Sequence, residues 1–249
     1  MLGNRLRLTG LNTAYVADAT DFDGSTANMS KASDLTGNSD SSQGAFNSWF
    51  RIDGGDGTTR DIKRSSANGC NISLNSANKF TFDLFDTTGA KFLQFTSSAI
   101  VASSSWVNVQ AAWDTNFTNG NRLSHLYIDG VSDITISGEA GNAFNVNYTD
   151  TTHGLFHDTA TNNRFNGCVS ELYINYGTYI DLSVAGNRAL FRRSSGKPAN
   201  LGLTGAAPTG TSPIMYFRDP ASTFGVNSGT GGDFTVTGVL TTASTSPSD

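Results

Sequence analysis

Glu139 and Glu171 are the only two glutamates among 249 residues, so their placement decides how much hydrolytic chemistry the chain could support. A glycosidase working through two carboxylates holds them about 5 to 10 Å apart across a cleft, which on a strand calls for alternating acids on one face. Glu171 stands in Val169-Ser170-Glu171-Leu172-Tyr173-Ile174 without a second acid, and Glu139 falls in a glycine-containing loop. Asp21 and Asp23 do alternate, but they precede the turn glycine Gly24 and read as strand-end caps. No catalytic residue is assigned, and the chain reads as a non-enzyme.

Metal and nucleophile chemistry fares no better. His153 and His157 have the spacing of two helical ligands, yet Gly154 and Phe156 lie between them and the glutamate of a metalloprotease is missing, so a loop entering a strand is expected. His125 reads as a surface or packing residue on a strand. No serine sits in a Gly-x-Ser-x-Gly elbow. Cys70 and Cys168 fit neither a metal knuckle nor a disulfide-dense scaffold, and two buried thiols are expected. The run Asp18-Ala19-Thr20-Asp21-Phe22-Asp23-Gly24 and the run Asp53-Gly54-Gly55-Asp56-Gly57 offer hard oxygens for calcium, but the ligand spacing is off and a closing glutamate is absent. Calcium stays open with no ligand assigned, and no other cofactor is expected. Residues 229–232 lack the lysine and serine or threonine of a phosphate cradle and read as a turn. For sugar stacking the aromatic candidates are Trp49, Trp106, Trp113, Tyr148 and Tyr176, with core packing as the competing fate of each, so carbohydrate-binding residues are left unassigned.

The elements that must position these groups are strands. Thr, Ser, Gly and Asn supply 109 residues, whereas lysine occurs only five times, and that balance disfavours exposed helix. Strands are expected at 45–53, 79–85, 91–95, 106–113, 122–128, 165–175, 213–217 and 233–240. In 79–85, Phe80, Phe82 and Leu84 share one face and Thr81 and Asp83 the other, a period of two. In 106–113, Val107, Val109 and Ala111 should bury while Trp106, Asn108 and Gln110 face water. Asp23-Gly24, Asp53-Gly54, Asn68-Gly69, Asn119-Gly120, Asp129-Gly130 and Asn166-Gly167 mark the turns. One helix is expected at 181–193, N-capped by Asp181. The fold class is therefore all-β, a two-sheet antiparallel sandwich with one short helix and an extended C-terminal segment. Residues 1–193 form the sandwich, and the Gly/Pro/Ser/Thr-rich residues 194–249 pack back on it, since the alternation of Phe234 to Leu240 has something to bury.

Sixteen Phe, seven Tyr and three Trp compensate for an apolar share of 37%. A net charge of −5 without a basic block argues against nucleic acid. Apolar runs stay at four residues, as at 99–102, far short of the roughly 20 that span a bilayer. Residues 1–10 mix leucines with Arg5 and Arg7 and carry no apolar signal core, so synthesis and folding in a host cytoplasm, without membrane insertion, are expected.

Three segments in order resemble the laminin G-like, concanavalin A-like lectin/glucanase superfamily of jelly rolls. They are Asp21-Phe22-Asp23-Gly24-Ser25 with Phe46-Asn47-Ser48-Trp49-Phe50-Arg51; Trp106-Val107-Asn108-Val109 through Leu126-Tyr127-Ile128-Asp129-Gly130; and Phe165-Asn166-Gly167-Cys168-Val169-Ser170-Glu171-Leu172-Tyr173-Ile174. Further on, the stretches 179–183, 196–202, 208–210 and 227–238 are similar to C-terminal regions of tailed-bacteriophage proteins that bear this jelly roll. The resemblance implies a non-enzymatic virion structural protein, decorating the capsid or attached as a head fibre or at the tail, and adhering to host-surface glycans. Its partners would be other virion proteins, in a homo-oligomer or symmetric array. A free carbohydrate-binding module is the alternative; a glycoside hydrolase is disfavoured because the closely spaced acids of the glucanase branch are missing.

Overall fold

A computed structural model describes residues 15–53, 57–66, 69–100, 105–116, 123–139, 143–158, 160 and 162–249. The signal reading of 1–10, the turn positions Gly54, Asn68, Asn119 and Gly120, the calcium candidates Gly55 and Asp56, the strand start at Arg122 and the end of the 99–102 run lie outside the described residues.

The described residues form two antiparallel sheets of eight strands each. Numbered along the chain, one sheet runs in the order β10 (Val131–Ser132), β9 (Leu123–Ile128), β8 (Val107–Asp114), β3 (Gln43–Ile52), β13 (Asn166–Tyr176), β1 (Thr20–Asp23) and β16 (Thr241–Thr242), with β14 (Met215–Phe217) also on β13. The other runs β11 (Thr135–Glu139), β7 (Lys91–Thr96), β6 (Phe80–Phe85), β5 (Cys70–Leu74), β4 (Arg60–Ser65), β12 (His153–Leu155), β2 (Asn28–Lys31) and β15 (Thr235–Thr237). The structure is an all-β sandwich with one short helix, α1 (Ala185–Ala189), among the described residues. No helix among them is long and apolar enough to cross a membrane.

Aromatic rings fill the space between the sheets because period-two alternation points them there from both sides. Phe80, Phe82 and Leu84 of β6 meet Phe46 and Phe50 of β3; Phe46 and Phe82 pack edge to face at 5.4 Å, and Phe82 stacks on Phe95 at 4.9 Å. The C-terminal residues feed both layers: β14 and β16 extend the first sheet, β15 extends the second, and Phe224 and Phe234 enter the same core.

Four expectations need correction. Glu139 lies on strand β11 rather than in a loop. Of the alternation over 233–240 only Phe234 is buried while Val236 and Val239 are exposed, because β15 is an edge strand of three residues. The helix covers only Ala185–Ala189, and Val184 rather than Asp181 is its N-cap. Asp181 instead closes its own turn, accepting from the Ser183 backbone N–H at 2.9 Å and from the Ser183 hydroxyl at 2.5 Å. Gly186 within the segment adds a backbone-entropy cost that shortens it further. The polar face of β8 is also not wet. Asn108 and Gln110 are fully buried, because residues 180–201 and Tyr216 lay a second apolar cluster of Ile180, Leu182, Phe191 and Leu201 over the outer face of the first sheet. The amides survive burial by bonding one another: Asn108 Nδ2 donates to Asn47 Oδ1 at 2.9 Å, and Gln110 Nε2 donates to Asn108 Oδ1 at 2.9 Å.

Candidate functional site

The outer face of the first sheet carries a solvent-open hollow. Along β3, Phe46 and Phe50 point into the core, so Trp49 points out; along β8, Val109 and Ala111 point in and Asn108 points out beside it. Trp106 immediately precedes β8. The β9–β10 hairpin turns at Asp129-Gly130, where positive φ of 51° and 81° makes the tight reversal, and this carries Asp129 to the rim. The turn after α1 and the last residues of the chain form the other walls. The result is an open cleft of about 490 Å³ bordered by Trp49, Trp106, Asp129, Arg192 and Thr245, adjoined by a second hollow of about 290 Å³ that shares Asp129 and Arg192 and reaches Gln110 and Arg188.

Trp49 is only 2% exposed, and its Nε1–H has no hydrogen-bond partner among the described residues. A buried indole N–H without an acceptor costs free energy. Trp106 is half-buried, with its Nε1 donating to the Thr245 hydroxyl at 3.2 Å. The Arg192 guanidinium lies over the Trp49 ring at 6.0 Å and stands 3.8 Å from Asp129. Asp129 in turn accepts from the Asn108 backbone N–H at 3.0 Å, which fixes it to the end of β8. Trp106, two carboxylates, Asp129 and Asp249, and the Arg192 guanidinium therefore border a solvent-open groove, a set suited to holding a polyhydroxylated ring.

The other aromatic candidates are structural. Trp113 donates from Nε1 to the Tyr148 hydroxyl at 2.7 Å inside the core, and Tyr148 stacks on Tyr176 at 3.8 Å. Only Trp49 and Trp106 of the five reach the cleft. Asp129 and Arg192 were not singled out from the sequence; Asp129-Gly130 had been legible as a hairpin tip, but the approach of Arg192 from 63 residues away leaves no local signal.

The two glutamates do not assemble. Glu139 lies on the exposed edge strand β11, whereas Glu171 is 1% exposed in the other sheet and receives hydrogen bonds from the Tyr15 and Tyr216 hydroxyls. Burial outweighs those two donors and pushes its carboxyl up to about 7. Asp23 is consumed by its own loop: one oxygen accepts from the backbone N–H groups of Ser25, Thr26 and Ala27, the other from the Ser25 and Thr26 hydroxyls, and these bonds hold it well below the usual carboxylate range. It has no oxygen left for calcium. Among the described residues one group, Asp21, Asp53 and Cys168, brings three ligand atoms within 4.8 Å, but Arg51 already neutralises Asp53 at 3.3 Å and the Cys168 thiol donates to Asp21 at 3.1 Å.

The two histidines of the 153–157 pair are separately occupied. His153 starts β12 with Nε2 3.0 Å from the Asp150 carbonyl, and burial lowers it to about 4, so its 3.6 Å approach to Asp34 is no ion pair near neutrality. His157 Nε2 lies 3.0 Å from both the Ser30 hydroxyl and the Met29 carbonyl. His125 shares a short contact of 2.6 Å with the Tyr179 hydroxyl on the covered face. Cys70 and Cys168 are both buried free thiols.

Two facing antiparallel sheets with an open, aromatic-bearing groove define a lectin-like jelly roll. Residues 23–178 match the family model for the concanavalin A-like lectin/glucanases superfamily, and the chain belongs to that superfamily. A comparison with curated proteins yields no match. Among solved structures, a candidate carbohydrate-binding protein of Bacteroides ovatus aligns at 12% identity over 93% of this chain and 62% of its own, with a TM-score of 0.59. Domains LG4-5 of the mouse laminin alpha1 chain align at 13% identity over 68% of this chain and 44% of theirs, TM-score 0.47. The binding domain of botulinum neurotoxin serotype C1 aligns at 18% identity over 57% of this chain and 35% of its own, TM-score 0.40. This chain thus spans less than two thirds of each of those structures, and at such identities the likeness is one of fold.

Proposed function

We propose that the protein is a non-enzymatic, glycan-binding jelly roll whose sugar site is the cleft between Trp106 and Arg192. The observation that carries this reading is the solvent-open cleft of about 490 Å³ bordered by Trp106, Asp129 and Arg192. A sugar ring would stack on the exposed part of Trp106 while Asp129 and Arg192 bond its hydroxyls. Membership in a lectin/glucanase superfamily supports a binding role, and the likeness to the Bacteroides ovatus protein is in the same direction. The separation of Glu139 from Glu171 on different sheets favours binding over hydrolysis.

The test is titration of the whole chain against a panel of oligosaccharides, with and without calcium. The reading expects binding by at least one member, weakened about tenfold by Trp106→Ala, the loss of one stacking contact. Absence of binding across the panel, or release of reducing ends, would overturn it.

For its setting, we propose a bacteriophage particle, with this jelly roll decorating the capsid, borne on a head fibre or attached at the tail, and contacting other virion proteins in a homo-oligomeric or symmetric array. The placement rests on the resemblance read in residues 196–202 and 227–238 of the sequence. Abundant Ser, Thr and Asn also keep sheet faces hydrophilic when many copies lie close together. Density for this chain at a defined site in intact particles is the expected result; its absence from particles removes the placement while leaving the glycan reading intact.

A further inference from the structure

The outer face of β3 carries Trp49 and, two residues on and on the same side, Arg51. The pairing of Phe50 with Val107 sets Arg51 opposite Trp106. Arg51 Nη1 donates to the Ser244 and Thr245 hydroxyls at 3.2 Å each, and the Trp106 indole donates to the same Thr245 hydroxyl at 3.2 Å. Thr245 is thus pinned to two side chains beside Trp49, and residues 244–249 run as a strap along this part of the face.

Trp49 itself belongs to neither apolar cluster of the described residues, and its partners across the sheet are Asn108 and Ser170. It is nonetheless 2% exposed. The cleft around it is walled by Arg192, whose guanidinium lies over the ring at 6.0 Å, and by Thr245, Ser246, Pro247 and Asp249 of the strap. A large indole is therefore closed off by a cation and one short polar segment instead of by core.

The strap is lightly attached. β16 ends at Thr242, and main-chain pairing with the sheet stops where the Ala243 N–H meets the Ala19 carbonyl at 3.0 Å. Beyond that point, among the described residues, each bond to the body uses a side chain: the two from Arg51, the one from Trp106, the Ala17 N–H to the Ser248 hydroxyl at 2.9 Å, and Lys197 Nζ to the Ser248 carbonyl. Ser244, Thr245 and Asp249 are exposed, and Pro247 is the one buried residue of the segment. Water replaces such bonds at little net cost and one pyrrolidine ring is a small apolar area to give up, so the segment opens ahead of the strands beneath it.

We infer that residues 244–249 are a displaceable strap and that the sugar groove continues beneath it onto the Trp49 indole. This rests on the glycan reading above and adds how the site admits its ligand. With the strap down, a short saccharide reaches Trp106 alone. With it lifted, Trp49 and Trp106 offer two aromatic surfaces to consecutive rings of a longer one. The longer ligand draws the molecule toward the open arrangement, and its apparent affinity is reduced in proportion to the share of molecules already open.

Acrylamide quenching of tryptophan fluorescence is measured in the full chain and in a form ending at Ala243, both carrying Trp106→Phe, so that Trp49 and the core residue Trp113 supply the signal. Removal of the strap is expected to raise the quenching severalfold. Titration of the full chain and the shortened form, each with Trp106 in place, against a short and a long member of one oligosaccharide series should show about tenfold tighter binding of the long member to the shortened form, with the short member little changed. Arg51→Met combined with Pro247→Gly, which loosens the strap without removing it, should move both readouts the same way and serves if the shortened form does not fold. Unchanged quenching, unchanged affinity for the long member, or weaker binding without the strap overturns the inference, while sugar binding by the full chain keeps the broader reading. Failure of every sugar to bind either form overturns both.

Discussion

The Tyr216 hydroxyl donates a hydrogen bond to the Glu171 carboxylate across the seam where β14 lies on β13. Glu171 sits at a bulge, with φ of +54°, where β13 skips register against β3 between Ser170 and Tyr173. The bulge turns a strand residue that alternation would send into the core toward the outer layer instead. One carboxylate thereby ties the C-terminal segment and Tyr15 to a central strand.

That carboxyl sets a pH dependence. Its folded value near 7 lies above its ordinary 4.5, so between those values the folded state keeps a proton the unfolded chain has released. Stability from this group is full below pH 4.5 and is lost as pH rises through about 7. Glu171→Gln, which stays neutral, should flatten this decline, by a difference on the order of 2 kcal/mol between about pH 5 and about pH 8 in urea denaturation. Parallel curves for the two proteins would contradict it.

Lys63 works in the opposite sense. It is fully buried, with its ammonium on the Ser65 hydroxyl and 5.9 Å from the Tyr176 ring, and burial lowers it to about 8 from 10.5. Between those values the unfolded chain binds the extra proton, so this group's penalty is full below pH 8 and fades as pH rises toward 10.5. Lys63→Met should stabilise the protein by on the order of 1–3 kcal/mol at neutral pH, with the gain shrinking at alkaline pH. Thermal melts of both proteins across that range provide the check; a destabilised Met variant would show that the lysine bonds outweigh its desolvation.

Gly44 has no room for a side chain. A Cβ there would stand 2.2 Å from Cζ2 of Trp113, whose indole is locked by its bond to Tyr148. Gly44→Ala is expected to cost about 1–3 kcal/mol through overpacking and to alter Trp113 fluorescence. An unchanged melting temperature would mean the indole can shift freely.

We propose that residues 194–249 are part of the folding unit rather than an appendage. Phe224 packs on Phe22 at 6.1 Å and on Phe217 at 5.9 Å inside the main core. Phe224→Ala should cost about 3–5 kcal/mol, comparable with Phe82→Ala, within a single unfolding transition. Two separable transitions, with only the minor one moved by Phe224→Ala, would make the segment an independent piece.

Alternation in Phe80, Phe82 and Leu84, turn dipeptides such as Asp129-Gly130, and the scarcity of glutamate and lysine were enough to read a two-sheet fold from the chain, because each is a local constraint on backbone direction. Strand β4, reading Arg-Asp-Ile-Lys-Arg-Ser, was not legible: its Asp61 and Lys63 are buried by neighbours that arrive from elsewhere in the chain. The same holds for the site. Trp49, Trp106 and Trp113 are equivalent candidates as letters, yet one fills the core, one lines a wall and one opens to solvent. Residue order determined which faces of each ribbon are apolar. Only the tertiary structure decided which polar face would be roofed over and where the roof would leave a gap, since burial depends on the distant segment lying above a side chain, and periodicity along a strand carries no record of that segment.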